Sequence, residues 1–184
     1  MKKKRWIFVF VIIVTLTILL CIRIYIINKQ YPQAIVNTIS AEQEEKFIDG
    51  IMLSVNDCHW LDRKEVELKY GKNLISSEED SFSVLVDVHI RNTTNKKICF
   101  PLYQIYIEKL GYCNGINAEL FAACNPKHAN MQVEIEANKE LDYTLTYTLY
   151  KMQFLKKEWE TIKNEEFYIA GPRYPVKNCW TIPM

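Results

Sequence analysis

Residues 6–22 read WIFVFVIIVTLTILLCI, seventeen positions without a charge, and apolar character resumes after Arg23 as far as Ile27. A run of this kind restricts the chain more than any other feature. As a helix, residues 6–27 measure roughly 33 Å at about 1.5 Å per residue, enough to cross a hydrocarbon core of about 30 Å. Arg23 lies one turn from the far end, where its long side chain can snorkel to the interface. Trp6 and Tyr25 sit near the two ends, where amphipathic rings are favoured. Lys2, Lys3, Lys4 and Arg5 precede the run, against only Arg23 and Lys29 at its far end. The positive-inside rule then predicts a cytoplasmic basic tail (residues 1–5), a transmembrane helix (residues 6–27) and everything later on the outer side. A cleaved signal peptide is the alternative. The run exceeds a usual signal core, and no small-x-small cleavage site follows it. Cys21 invites a lipoprotein reading, but Leu20 stands where a small residue is wanted. The expectation is an uncleaved signal anchor in a single-pass cell-membrane protein with an extracellular C-terminal domain.

The net charge of +1 hides a segregation. Residues 1–30 hold six Lys/Arg and no acidic residue, which leaves 17 basic against 22 acidic groups in the remainder, a net charge of −5. An acidic body is a poor nucleic-acid binder, because duplex binding depends on neutralising phosphates. Five glycines in 184 residues are too few for a glycine-rich phosphate loop. Residues 28–46 are polar and lack a strand pattern, so they are expected to form a stalk, with a short helix at 41–46. Residues 47–184 are long enough for a single core.

Within that body the dominant period is two. Phe82, Val84, Val86, Val88 and Ile90 alternate with Ser83, Leu85, Asp87, His89 and Arg91. Leu141, Tyr143, Leu145, Tyr147 and Leu149 alternate with Asp142, Thr144, Thr146, Thr148 and Tyr150. Each run therefore has a core face and a wet face. Weaker strand candidates are residues 48–60, 97–107, 119–123, 131–136, 166–170 and 176–182, and Pro101 points to an edge or a bulge. Met152, Leu155, Trp159 and Ile162 recur at spacings of 3, 4 and 3, which predicts a helical insert over about 152–163. Seven or eight short strands with one helical insert predict a mainly β chain, an antiparallel β-sandwich of immunoglobulin-like type.

The sequence around Gly50-Ile-Met-Leu-Ser-Val, the strand ending Ile90-Arg-Asn-Thr, the late Leu-x-Tyr-x-Leu strand, Trp159-x-x-Ile162-Lys163 and the closing Tyr168…Tyr174-Pro175…Trp180 together resemble one family. It is the uncharacterised, membrane-anchored extracellular domains of Gram-positive bacteria, with a telokin-like, immunoglobulin-type sandwich. The resemblance covers residues 47–184. It implies a fold and an address, and it supplies no catalytic residues.

Five cysteines lie beyond the span: Cys58, Cys99, Cys113, Cys124 and Cys179. An exported domain permits disulfides. Cys113 and Cys124 flank Asn114-Gly115 and would close a short loop, a bridge contributing about 3 kcal/mol in the chain-entropy model. Cys58 and Cys179 form a second candidate pair if the first and last strands meet. Five buried, reduced thiols are the alternative. Cys113, Cys124 and His128 have the wrong spacing for a structural zinc site, which wants a close first pair and four ligands. No C-x-x-C offers dithiol chemistry. His89, beside Asp87 and Arg91, reads as a solvated strand residue, and His59 and His128 fall in no catalytic motif. Ser76-Ser-Glu-Glu-Asp80 lacks the spaced ligands and glycine of a calcium loop, and reads as a wet turn. Among 23 aromatic residues, Tyr103, Tyr150 and Trp180 are those whose parity leaves them as surface contacts for a ligand.

No constellation here predicts catalysis, a cofactor or a metal. The expected function is a non-catalytic, extracytoplasmic binding module with a protein or cell-envelope partner and no nucleic acid. Thr15, Thr17 and Cys21 hint at a polar helix face, which an accessory subunit of a transporter or secretion complex would use. An enzyme with an unrecognised site is the third reading.

Overall fold

In the computed structural model, which describes residues 2–75 and 80–183 (for 2–5, the backbone alone), the chain divides into two units, Met1–Ile35 and Val36–Met184. The first is helix α1 (Lys2–Gln30). Its stretch Trp6–Gln30 is long and apolar enough to cross a membrane, and every side chain in it is exposed.

The second unit runs β1 (Ile35–Ile39), β2 (Glu45–Ile48), β3 (Ile51–Asp62), α2 (Arg63–Tyr70), β4 (Ser81–Asn92), β5 (Ile98–Pro101), β6 (Tyr106–Lys109), β7 (Tyr112–Asn114), α3 (Ala118–Cys124), β8 (Gln132–Ile135), β9 (Glu140–Tyr150), α4 (Lys156–Glu160), β10 (Tyr168–Ala170) and β11 (Val176–Thr181). One sheet has the order β1-β11-β10-β6-β7, a second β2-β3-β4-β9, and β5 pairs with β8 alone. The chain is a mostly β sandwich with small helices, as its alternation predicts. Val84, Val86 and Val88 of β4 and Leu145, Tyr147 and Leu149 of β9 line the inner side of the second sheet, each at most 1% exposed. Ile107, Ile169 and Trp180 from the first sheet, and Phe100 and Ile135 from the small sheet, complete this core.

Three expectations are corrected. Residues 28–46 are not a stalk. β1 joins β11 at a sheet edge, β2 pairs with β3, and residues 41–46 form a turn and the start of β2 instead of a helix. The insert at 152–163 is not one helix. Two single 3-10 turns, Lys151–Gln153 and Ile162–Asn164, flank α4. Extended backbone at Phe154 and Leu155 breaks it, so Met152 and Leu155 are both 73% exposed while Ile162 is buried. Residues 119–123 are helical in α3, where Asn117 accepts the Leu120 N–H at 3.1 Å and caps the first turn.

The outer face of the second sheet is dry at one end. Leu85, the lone apolar residue on the polar side of β4, packs with Val66 of α2, Ile75 and Leu120 of α3. α2 starts on a capping box: Glu65 N–H donates to Asp62 at 2.9 Å, and Asp62 N–H donates to Glu65 at 2.7 Å.

Candidate functional site

Beyond Leu85 the outer face of β3, β4 and β9 is open and polar. β4 contributes Asp87, His89 and Arg91 at alternate positions. Antiparallel register sets Asp87 opposite Asp57 and Thr144, and His89 opposite Ser54 and Asp142. A bulge in β3 builds half of this array. Val55 pairs with Val88 and Asp57 with Asp87, so Asn56 is the extra residue. Before it, Ile51, Leu53 and Val55 point into the core. After it, Cys58 and Trp60 pack there instead. The phase change turns Asp57 and His59 outward, onto the face that carries Asp87.

The side chains on this face are held. His89 Nδ1 lies 2.8 Å from Asp142 Oδ1, and its Nε2 is 3.5 Å from Glu140. His89 is therefore half-buried in a carboxylate pair, not freely solvated. Arg91 donates to Glu44 through Nε at 2.8 Å and through Nη2 as well, and this guanidinium holds the Glu44 carboxyl below its usual range. Thr144 Oγ1 donates to Asp87 Oδ1 at 2.6 Å, and the Cys58 N–H donates to Asp57 Oδ1 at 2.7 Å. His59 Nε2 stands 3.6 Å from Asp57 Oδ2. Asp57, His59 and Asp87 thus bring one ligand atom each to within 4.8 Å of one another.

The cysteines do not pair. All six are free thiols. Cys113 lies exposed on β7, where Arg173 Nη2 donates to its sulfur at 3.2 Å. Cys124 ends α3 beside Tyr70, and burial raises its thiol pKa. The predicted Cys113–Cys124 bridge fails because the intervening chain is not a hairpin between the two residues: β7 pairs back with β6, and α3 packs on β9. Cys58 and Cys179 lie on strands of different sheets, β3 and β11. Burial pushes their thiols up to about 12 and about 11. Cys99 is exposed on β5.

Of the aromatic surface candidates, Tyr103 is 58% exposed and Tyr150 is half-buried against α2 and α3. Trp180 is corrected: it is fully buried, stacks on Phe47 and donates its indole N–H to the Gln43 carbonyl at 3.3 Å. β11 lies inside the first sheet, between β1 and β10, so its inward face carries the largest ring. A cleft of about 670 Å³ opens between the β6–β7 hairpin, Tyr168, Arg173 and Lys177. There the Arg173 guanidinium lies 4.9 Å over the Tyr106 ring, and Tyr106 donates its hydroxyl to the Gly171 carbonyl. Leu110 at the hairpin tip is 98% exposed. Of the acidic stretch 76–80, only Asp80 falls among the described residues, and Lys151 donates to it at 2.7 Å.

A family model described as a domain of unknown function, DUF5028, matches residues 33–178. No curated protein matches the chain. A functionally unknown protein from Listeria monocytogenes aligns in structure with a TM-score of 0.52 at 12% identity, covering 79% of this chain and 82% of its own. An uncharacterized β-sandwich protein from Clostridium difficile aligns at 0.48 and 10% identity, covering 82% and 97%. None of these descriptions names an activity.

Proposed function

The chain belongs to the family described as a domain of unknown function, DUF5028, and from that premise we propose that it is a membrane-anchored, extracytoplasmic, non-catalytic binding module. In this reading the sandwich is of the telokin-like, immunoglobulin type, and its partner is a protein or a component of the cell envelope. α1 is the observation that carries the reading. Its apolar side chains are all exposed. Leaving such a surface in water costs about 25 cal/mol per Å², so the helix belongs in lipid. The four leading positive charges favour retention of the N-terminus on the cytoplasmic side. A sandwich presenting a polar sheet face, an exposed Tyr103 and an exposed Leu110 offers contact surfaces suited to recognition.

The accessory-subunit alternative needs a polar helix face. Thr17 donates its hydroxyl to the Ile13 carbonyl of its own helix at 2.9 Å, which weakens the case for a hydroxyl reserved for a neighbouring helix. Protease added to intact cells is expected to remove residues 36–184. A domain that survives until the membrane is opened would reverse the topology.

A further inference from the structure

We propose that Asp57, His59 and Asp87 form a binding site for a first-row divalent metal ion, of the Zn²⁺ class, on the outer face of the β3–β4 pair. The inference is independent of the binding-module reading. It begins with an electrostatic conflict. Asp57 and Asp87 are directly opposite in the antiparallel register, an arrangement that places like charges side by side and destabilises the sheet. Among the described residues, His59 is the sole ion-pair partner of Asp57, and Lys69 of α2, near enough to Asp87 to feel its charge, forms no ion pair with either carboxylate. A dication between them removes the conflict.

The geometry suits that role. His59 Nε2 and Asp57 Oδ2 are 3.6 Å apart. Two ligands each about 2.1–2.2 Å from a shared tetrahedral ion stand about 3.4–3.6 Å apart. All three ligand atoms lie within 4.8 Å of one another, so a shared ion requires the wider pairs to draw together by about 1 Å. Each carboxylate already has one oxygen held from outside the group, Asp87 by the Thr144 hydroxyl and Asp57 by the Cys58 N–H. The other oxygen of each is left for an ion. Partners of this kind orient ligands and raise affinity. One imidazole and two carboxylates form a borderline donor set, suited to Zn²⁺, Mn²⁺ or Ni²⁺ and poor for a soft ion. Cys58 lies between the two β3 ligands in sequence, but its thiol points into the core and takes no part. Three protein ligands on an open surface leave positions for water or for a partner's carboxylate. The β3 bulge is what makes the site: in an unbroken strand Asp57 and His59 would face the core, and Asp87 would stand alone.

The test is equilibrium dialysis and titration calorimetry of the full chain in detergent with Zn²⁺ alone. The expected result is one equivalent bound. Affinity should fall at least about tenfold in Thr144→Val, in keeping with lost outer partners, and further in His59→Ala and Asp87→Asn. His128→Ala, which alters an exposed histidine elsewhere, should bind as the wild type does. Asp57→Asn provides a third ligand variant if either of the others melts abnormally. No saturable binding by the wild type, or one equivalent that survives all three ligand substitutions, would overturn the proposal.

Discussion

Asn92, at the end of β4, has no exposed surface and uses its whole side chain. Its Nδ2 donates to the carbonyls of Lys96, Ile135 and Glu136 at 2.7, 3.0 and 3.1 Å, and its Oδ1 accepts from Thr94 N–H and Thr94 Oγ1 at 2.9 and 2.8 Å. One amide therefore ties the β4–β5 loop to β8. Asn92→Leu fills the space with carbon and strips three carbonyls of a donor, which is expected to cost about 2–3 kcal/mol. Urea unfolding of the detergent-solubilised chain should show a lower midpoint at unchanged slope. A midpoint equal to the wild type would contradict this role. In the sequence, Asn92 sits in Arg91-Asn-Thr-Thr-Asn95 and reads as an ordinary turn residue. Nothing local marks it as buried, because two of the three carbonyls it serves arrive from residues 135 and 136.

Of the three long strands, β4 and β9 were legible because each keeps one phase along its length: every second residue faces the core. β3 was legible only in part, since its bulge reverses the phase at Asn56 and hides the shared face of Asp57, His59 and Asp87. α2 carries a signal that strand periodicity obscures, the Asp62-Arg-Lys-Glu65 capping box. α3 places Leu120, Phe121, Ala122 and Ala123 in succession, a run too short for its period to separate helix from buried strand. Leu85 was the visible clue that both helices cover the sheet. Asp62→Ala removes the acceptor for the Glu65 N–H and should cost about 1 kcal/mol. The loss should appear as a lower thermal midpoint with the β-sheet circular dichroism retained. An unchanged midpoint would mean that packing of Val66 alone holds α2.

At the scale of the whole molecule, the sandwich covers the β9 edge of its second sheet. β9 ends the second sheet, and side-chain and backbone groups from the segment around α3 take up its outward groups. Asn114 donates to the Thr148 carbonyl at 2.8 Å, Asn125 both donates to and accepts from the Thr144 backbone, and the Asn117 N–H donates to the Thr146 carbonyl at 2.7 Å. A capped edge withholds the backbone groups through which two sheets would otherwise pair edge to edge. The domain's own thiols report which side of the membrane it occupies. Cys99 and Cys113 are exposed, whereas Cys58 is half-buried against the core with its thiol pushed up to about 12, so it holds almost no reactive thiolate near neutral pH. Intact cells expressing the full chain should be treated with a membrane-impermeant maleimide, and each cysteine assayed by peptide mapping. Modification of Cys99 and Cys113 without permeabilisation, with Cys58 reacting only after denaturation, is the predicted result. Modification of Cys99 and Cys113 only after the membrane is opened would place the sandwich in the cytoplasm and contradict the account.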